Sequence, residues 1–313
     1  MIRTFAVANL DDRYVVHDPA SNITRACPTV LPPGRRRLDD TDVSAWPVLA
    51  PAHTSGGAPV HVCWSPIVRC NLTCSYCIDD KSVSEVPPTE RARVADVLAA
   101  STVLSVDISG GEPLLLPDLS DLARLLAAGG RAVSCTTNGW HLARRARELA
   151  NCLDAIRVSL DGATAVDHDA RRGAGSFKRA VEGIRAATAA GLFVQIQTVL
   201  MRTTAPHAQA FADLAGQLGA GGISFLQYLP FGEGAANADA HLLSDDHARA
   251  VIGQVRPPQG VQVRLRTRGE SAGFAVVRAD GTVWRNDHRA MSITPGVALR
   301  TPADLTSTDS RTR

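Results

Sequence analysis

Between residues 59 and 256 the chain alternates two kinds of apolar pattern. Short β-branched runs recur at about 60–66, 104–109, 131–137, 155–160, 192–200 and 222–229. Alanine-rich stretches with apolar residues at helical spacing follow them, at about 89–101, 118–128, 141–151, 176–190, 205–218 and 244–255. Strand-length runs alternating with helix-length ones predict βα units on a parallel sheet, because parallel neighbours need a crossover long enough to hold a helix. Helix punctuation follows the same division. Ser176 is placed to cap one helix and Gly191 to end it, and Ser244 followed by Asp245 and Asp246 opens another. The fold class is therefore α/β. Six units predict an open (β/α)6 barrel over residues 59–256 rather than a closed eight-stranded one.

The flanks are patterned differently. In residues 1–58, Phe5-Ala6-Val7 and Tyr14-Val15-Val16 read as strands around the turn Asp11-Asp12-Arg13, with Pro- and Gly-rich loops after them. This segment is expected to be a small β-rich appendage that covers the barrel, with Cys27 as a plain buried thiol. In residues 257–300, Phe274 to Arg278 and Thr282 to Trp284 flank Asp280-Gly281, a hairpin turn signal, and predict a β-hairpin cap. Residues 301–313 are polar and are expected to be a disordered tail.

Composition narrows the partners. The chain is 45% hydrophobic and 20% charged with a net charge of +2, which gives no polyanion footprint and no expectation of nucleic acid. No apolar run reaches membrane-spanning length, and Met1 to Phe5 does not lead into a signal peptide, so a cytoplasmic protein without a membrane partner is expected. A reducing compartment suits thiols gathered for a metal rather than for disulfides.

Three of the seven cysteines fall in eight residues, Cys70-x3-Cys74-x2-Cys77, directly after the apolar run that begins at Val60. A loop leaving a strand can point three thiolates at one centre. Three ligands are one too few for a closed zinc site or for an iron–sulfur cluster held entirely by cysteine, so one position stays open for chemistry. A zinc or redox loop completed by His61 or Cys63 is the alternative; strand residues directly before the loop would point away from it. After the next strand comes Gly110-Gly111-Glu112-Pro113.

The two motifs together resemble the radical S-adenosylmethionine (radical SAM) enzymes. The resemblance implies a partial (β/α)6 radical SAM barrel, which agrees with the pattern of alternating elements. It also implies one [4Fe-4S] cluster on Cys70, Cys74 and Cys77, with S-adenosylmethionine (SAM) chelating the open iron through its amino and carboxylate groups. Reductive cleavage of SAM would yield a 5′-deoxyadenosyl radical that takes a hydrogen atom from the substrate. An electron donor such as flavodoxin or ferredoxin is implied as a partner.

Functional residues of such sheets sit at the carboxyl ends of the strands. Gly110 and Gly111 let backbone approach a ligand, and Pro113 stiffens the turn; with Glu112 they are cofactor candidates, gripping the methionine ammonium by resemblance. Asn138 is assigned to the cofactor and Thr137 to the substrate, although Asn-Gly is also a plain turn. Ser159 and Asp161 alternate with Val158 and Leu160 and face one way, towards ribose or methionine; a helix N-cap is the other reading of Asp161. The run Asp167-His168-Asp169-Ala170-Arg171-Arg172-Gly173-Ala174-Gly175-Ser176-Phe177 resembles the molybdopterin-biosynthesis-like and peptide-maturing branches. Within it His168 is read as structural and Arg172 as the fork for the cofactor carboxylate. Gln195 and Gln197 share a face that would line a polar cavity. Gln227 and Tyr228 are substrate candidates, and by resemblance Leu229 and Tyr76 contact adenine. In many relatives a hairpin like that near residue 280 precedes auxiliary-cluster cysteines, but Asn286 stands where one would follow and no cysteine comes after Cys152.

The resulting expectation is a radical SAM enzyme of oxidoreductase or isomerase type that modifies a peptide in natural-product biosynthesis. Epimerase, dehydratase or oxidoreductase action on a sugar, nucleoside or other small metabolite is the alternative. A non-catalytic metal-binding or redox partner is the alternative of another class.

Overall fold

The computed structural model describes residues 1–306 except 51–52, 56, 80, 272–273 and 286–295. The Asn286 and Asp287-His288 positions and the end of the tail from 307 lie outside the described residues.

Residues up to 49 form an antiparallel sheet: β1 (Ile2–Leu10), β2 (Arg13–Asp18), β3 (Ile23–Ala26), β4 (Gly34–Asp39) and β5 (Val48–Leu49), ordered β4-β1-β2-β3-β5, with the short helix α1 (Asp40–Ala45) before the last strand. The turn predicted at Asp11-Asp12 joins β1 to β2, both residues taking positive φ.

The second sheet begins with β6 (His61–Trp64). It continues through α2 (Pro88–Ala100), β7 (Ser105–Ile108), α3 (Leu119–Ala128), β8 (Ala132–Thr137), α4 (Leu142–Leu149) and β9 (Ala155–Ser159). Helices α5 (Ala165–Arg172) and α6 (Ser176–Ala189) lead to β10 (Val194–Leu200), and α7 (Ala208–Gln217) leads to β11 (Gly222–Gln227). Helices α8 (Ala238–His241) and α9 (Asp245–Gly253) precede β12 (Gln262–Arg266); β13 (Ala275–Val277), β14 (Thr282–Arg285) and β15 (Val297–Ala298) follow. Strands β6 to β12 are parallel throughout.

The α/β architecture is as expected, and the sheet is longer than six strands at both edges. β12 adds in parallel beside β11, and β13 adds in parallel beside β6. The hairpin turn at Asp280-Gly281 forms as read, but β13 and β14 extend the sheet edge to edge rather than standing apart as a cap. No pairing joins β12 to β13 among the described residues, yet the Arg266 guanidinium of β12 lies 5.5 Å from the centroid of the Phe274 ring just before β13, so the sheet curls enough to bring these segments together. Residues 301–306 are ordered: Thr301 and Asp304 form a capping box, and Leu305 is buried in the core.

The outward faces of the strands and the inward faces of the helices carry one large apolar core, including Val62, Ile108, Val133, Ile156, Val158, Ile196 and Phe225. The inner wall of the barrel is polar. Register places Cys63 beside Asp107 and Asp107 beside Ser134, and brings Arg157 beside Gln195. Towards the carboxyl ends, the inward positions Cys63, Thr136, Ser159, Gln197, Val199 and Leu226 are only half-buried, which marks a hollow mouth.

The amino end of the barrel is closed by the first sheet. Arg157 donates Nε to the Ala20 carbonyl at 2.8 Å, reaches Pro19 O and Asn22, and pairs with Asp107 at 2.9 Å. His17 meets Ser105 at 2.9 Å, Arg35 pairs with Asp154 at 2.5 Å, and Gln262 donates to Asp40 at 2.9 Å. The appendage therefore covers the barrel at the end opposite the cysteine loop.

Candidate active site

Four strand-end turns clasp the loop between β6 and α2. The first is the glycine turn after β7. Gly110 has φ +112°, and a Cβ there would stand 2.4 Å from the Ile67 carbonyl; at Gly111 it would stand 2.3 Å from the carbonyls of Val68 and Arg69. Only glycine fits this approach. Gly111 N donates to Ile67 O at 2.8 Å and Glu112 N to Arg69 O at 2.9 Å, so the turn is stitched under the start of the cysteine loop. From the other side Glu85 accepts from Val68 N and Arg69 N, both at 2.9 Å.

Glu112 is turned into the fold. Its fully buried carboxylate accepts from Thr137 Oγ1 at 2.6 Å, Asn138 N at 2.8 Å and Leu114 N at 3.0 Å, stapling the turns after β7 and β8. Burial pushes its pKa up against these bonds. The Thr137 hydroxyl, read as a substrate contact, is instead donated to Glu112. Asn138 reaches the cysteine loop, its Nδ2 lying 2.9 Å from Asn71 Oδ1 and 3.8 Å from Cys70 Sγ. Pro113 opens the short 3-10 turn Pro113–Leu115 and is buried.

The third turn follows β9. Asp161 is fully buried and accepts from Arg172 Nε at 2.5 Å, Tyr76 Oη at 2.7 Å and Val199 N at 2.7 Å. Burial raises its pKa, but Arg172 with these donors outweighs it, so the net direction is down. Asp161 thus ties the cysteine loop, β10 and the end of α5 together. It is not a helix cap; Thr164 caps α5. Arg172 spends Nε on Asp161, and among the described residues no hydrogen bond uses its two Nη groups. Tyr76, read as an adenine contact, is buried with Arg172 over one face of its ring at 5.9 Å and its hydroxyl committed to Asp161.

His168 is structural, as read: buried, it accepts from Asp161 N at 3.2 Å and packs edge-on against Phe177, and burial lowers its pKa to about 4. Asp169, not Ser176, caps α6, accepting from Gly175 N at 2.7 Å and Phe177 N at 2.8 Å.

The fourth turn follows β11. Gly232 lies against the Cys77 carbonyl, where a Cβ would come to 2.7 Å, and Glu233 N donates to that carbonyl at 3.1 Å. Here the structure corrects three readings. Leu229 is buried against Phe231 and Trp284 instead of lining a cofactor cleft. Gln227 is consumed by Leu243 O at 2.7 Å and Arg268 N at 2.6 Å. Tyr228 is buried with its hydroxyl bonded to the Gly234 carbonyl. Gln195 is also corrected: it is buried low in the barrel with its amide 2.9 Å from Ser224 Oγ. Gln197 and Ser159 are half-buried, make no side-chain hydrogen bond among the described residues and face the hollow mouth.

The three thiols themselves are free and half-buried on one loop, with Leu72 N 3.4 Å from Cys70 Sγ. Burial raises the pKa of all three, so a metal must displace protons to bind. Among the described residues no three His, Cys, Asp or Glu side chains converge on a single metal ion. A [4Fe-4S] cluster takes each thiolate on a different iron and needs no such convergence. The zinc alternative is corrected by placement: His61 is bonded to Ser105 at 2.8 Å at the amino end of β6, and Cys63 lies inside the barrel beside Asp107. The soft donor set, the glycine cradle and the unspent Arg172 Nη groups fit an iron–sulfur cluster with an amino-acid-like ligand. The carbonyls of Gly110 and Gly111 accept no hydrogen bond among the described residues and suit an ammonium group.

Sequence reasoning missed Asn71, which holds Asn138, and the inward residues of β12, discussed below. Alternation in Gln262-Val263-Arg264-Leu265-Arg266 was the available signal for the latter.

An α/β barrel with three thiols in a glycine-clasped loop at its carboxyl end offers a donor set suited to an iron–sulfur cluster. Residues 64–215 match the radical SAM superfamily model. It is 33% identical over 202 residues to the mycofactocin maturase MftC of Mycobacterium tuberculosis, covering 61% of this chain and 51% of that protein. It is 39% identical over 143 residues to a probable GTP 3′,8-cyclase of Methanocella arvoryzae, covering 43% of this chain and 45% of that one. The chain spans about half the length of these curated relatives. In fold it resembles Streptococcus suis SuiB, crystallised with the precursor peptide SuiA: TM-score 0.59 and 16% identity over 72% of this chain and 59% of that one. No helix among the described residues is long and apolar enough to cross a membrane.

Proposed function

We propose that the chain holds one [4Fe-4S] cluster on Cys70, Cys74 and Cys77, binds SAM beside it, and modifies a peptide in natural-product biosynthesis. The observation that carries this reading is the clasp: four strand-end turns gather on the cysteine loop and leave specific polar groups unspent. Cluster and SAM together would supply a 5′-deoxyadenosyl radical that removes a hydrogen atom from a substrate carbon.

This chain's residues do the rest. Asn138 orients Cys70. Asp161 fixes Arg172 so that its Nη pair is presented as a fork for a carboxylate. The Gly110 and Gly111 carbonyls accept from an ammonium. Gln197 and Ser159 line the space where substrate would meet the cofactor, and the N-terminal sheet excludes water from the other end. Electrons would come from a flavodoxin- or ferredoxin-like donor. A peptide substrate is supported by the maturase relative and by the precursor peptide in the SuiB structure. A small-metabolite substrate is the second reading, favoured by the cyclase relative. With no cysteine after Cys152 in this sequence, an auxiliary cluster has no thiolate here to accept an electron, which favours a redox-neutral outcome or return of the electron to the cluster on Cys70, Cys74 and Cys77.

Anaerobic reconstitution tests the proposal. About four irons and four sulfides per chain, with 5′-deoxyadenosine formed on reduction, are expected. Cys70→Ala, Cys74→Ala and Cys77→Ala should each abolish both. Zinc uptake without SAM cleavage would refute it. One SAM consumed per net two-electron oxidation would refute the redox-neutral outcome alone.

A further inference from the structure

The mechanism leaves the inner wall of β12 unused. Arg264 alternates with Val263 and Leu265, and register sets it in a polar row: Arg264 beside Ser224, Ser224 beside Gln197, Gln197 beside Ser159. Arg266 stands one tier nearer the mouth, beside Leu226 and against the Phe274 ring. Both are half-buried, and neither has a carboxylate partner or a hydrogen bond among the described residues.

The acids whose fields reach them are committed elsewhere. Asp18 is paired with Arg3 at 2.5 Å, and Asp107 with Arg157 at 2.9 Å and the hydroxyls of Ser134 and Thr136. Glu270 accepts from Thr267 N at 2.9 Å and faces Arg249 at 3.7 Å. The other groups packed nearby are His17, His61 and Arg157. Burial, with the neighbouring guanidinium groups, holds both histidines neutral. Burial and the repulsion of Arg266 and Arg157 pull Arg264 down to about 9, and burial with the repulsion of Arg157 lowers Arg266. Two desolvated like charges without a counter-ion are unfavourable alone and become favourable with an anion between them. Arginine forks match the planar or tetrahedral oxygens of carboxylate and phosphate.

We propose that Arg264 and Arg266 form an anion subsite that seats a carboxylate or phosphate group of the substrate inside the barrel. The proposal rests on the radical SAM reading of the same cavity. A substrate anchored at β12 would extend along Gln197 and Ser159 towards the cysteine loop. For a peptide the anchor is a terminal or side-chain carboxylate; for a small metabolite it is a phosphate.

Titration calorimetry of the full-length reconstituted protein, with SAM present, tests this using inorganic phosphate, triglycine and triglycine amide. Wild type should bind phosphate or triglycine but not the amide, and the probe that binds identifies the source of the anion. R264Q/R266Q should weaken that binding by about tenfold or more, the loss expected for charge-assisted hydrogen bonds, with SAM affinity unchanged. Because the charge is unpaired, R264Q alone should raise Tm in the anion-free protein, whereas a purely structural arginine would lower it. The proposal is overturned if wild type binds neither anion, if the double variant binds like wild type, if SAM affinity falls in parallel with anion affinity, or if R264Q lowers Tm. Failure of wild type to cleave SAM while anion binding persists would sink the radical SAM reading and leave the subsite standing.

Discussion

Asp161 shows how one buried carboxylate can organise a site it does not line. Its three donors come from the cysteine loop, from β10 and from the last residue of α5. Asp161→Asn keeps the shape and removes the charge, leaving Arg172 buried without its partner. Breaking a buried pair in this way costs about 3–5 kcal/mol, so urea denaturation of D161N should show a loss of that size. The same carboxylate predicts an acid limb. Its folded pKa is depressed, so its contribution is complete above the usual carboxylate range and disappears as pH falls through the lowered folded value. The denaturation midpoint of wild type should therefore fall with acid faster than that of D161N. At this scale the sequence was legible where chemistry is carried by residue type at fixed spacing, as in the three cysteines and the glycine turn. It was less legible where a polar side chain had two possible masters. Thr137, Gln195, Gln227 and Tyr228 look like ligand contacts along the chain, and each is consumed by a backbone or side-chain partner that only the folded chain brings near.

At the scale of elements, the glycine turn after β7 is the part that holds the cysteine loop in place. Gly111→Ala would put a methyl group 2.3 Å from two carbonyl oxygens of that loop. The loop must move, at an overpacking cost of about 1–3 kcal/mol. Because the shift falls on the backbone leading into Cys70, cluster retention should suffer more than global stability. Asn138→Ala removes the amide beside Cys70 Sγ without adding bulk, and losses of about 10–100-fold in metal affinity are typical for such outer partners. Iron retained under chelator challenge should fall in both variants while far-UV circular dichroism is kept; unchanged retention would show that the clasp does not matter. Apart from α5 and the one-turn α8, the strands and α-helices over 59–256 were readable from period and length. β12 escaped because its five residues alternate Gln262, Arg264 and Arg266 with only two apolar positions, Val263 and Leu265, too few to mark a half-buried strand. The sheet edge to which β13 attaches was invisible for another reason: a three-residue strand pairing with β6 some two hundred positions earlier leaves no local pattern.

At the scale of the whole molecule, the two sheets are joined through charge. Arg157, on the inner wall at the amino end of β9, is buried and ties Asp107 of β7 to the carbonyls of Pro19 and Ala20 and to Asn22. Arg3, held by Asp18 and Asp40 and lying 4.2 Å from the centroids of both Phe5 and Phe193, brings β1 against the start of β10. A barrel with an apolar interior would close its own floor by packing; this one keeps a polar interior and uses the N-terminal sheet as its floor. The sheet should therefore not melt independently. Trp46 reports on the first sheet and Trp64 on the barrel, so fluorescence of single-tryptophan variants should give one coincident transition with far-UV circular dichroism. Arg157→Ala removes the link, strands Asp107 inside the barrel and leaves the 19–22 turn without its donor. A destabilisation of about 3–5 kcal/mol is expected, together with separation of the Trp46 transition to lower denaturant. If the two probes still coincide in R157A, the floor is held mainly by the apolar contacts of Ala6, Leu10 and Val15 with Leu104 and Ala132, and the charged link would matter for barrel polarity rather than for joining the sheets.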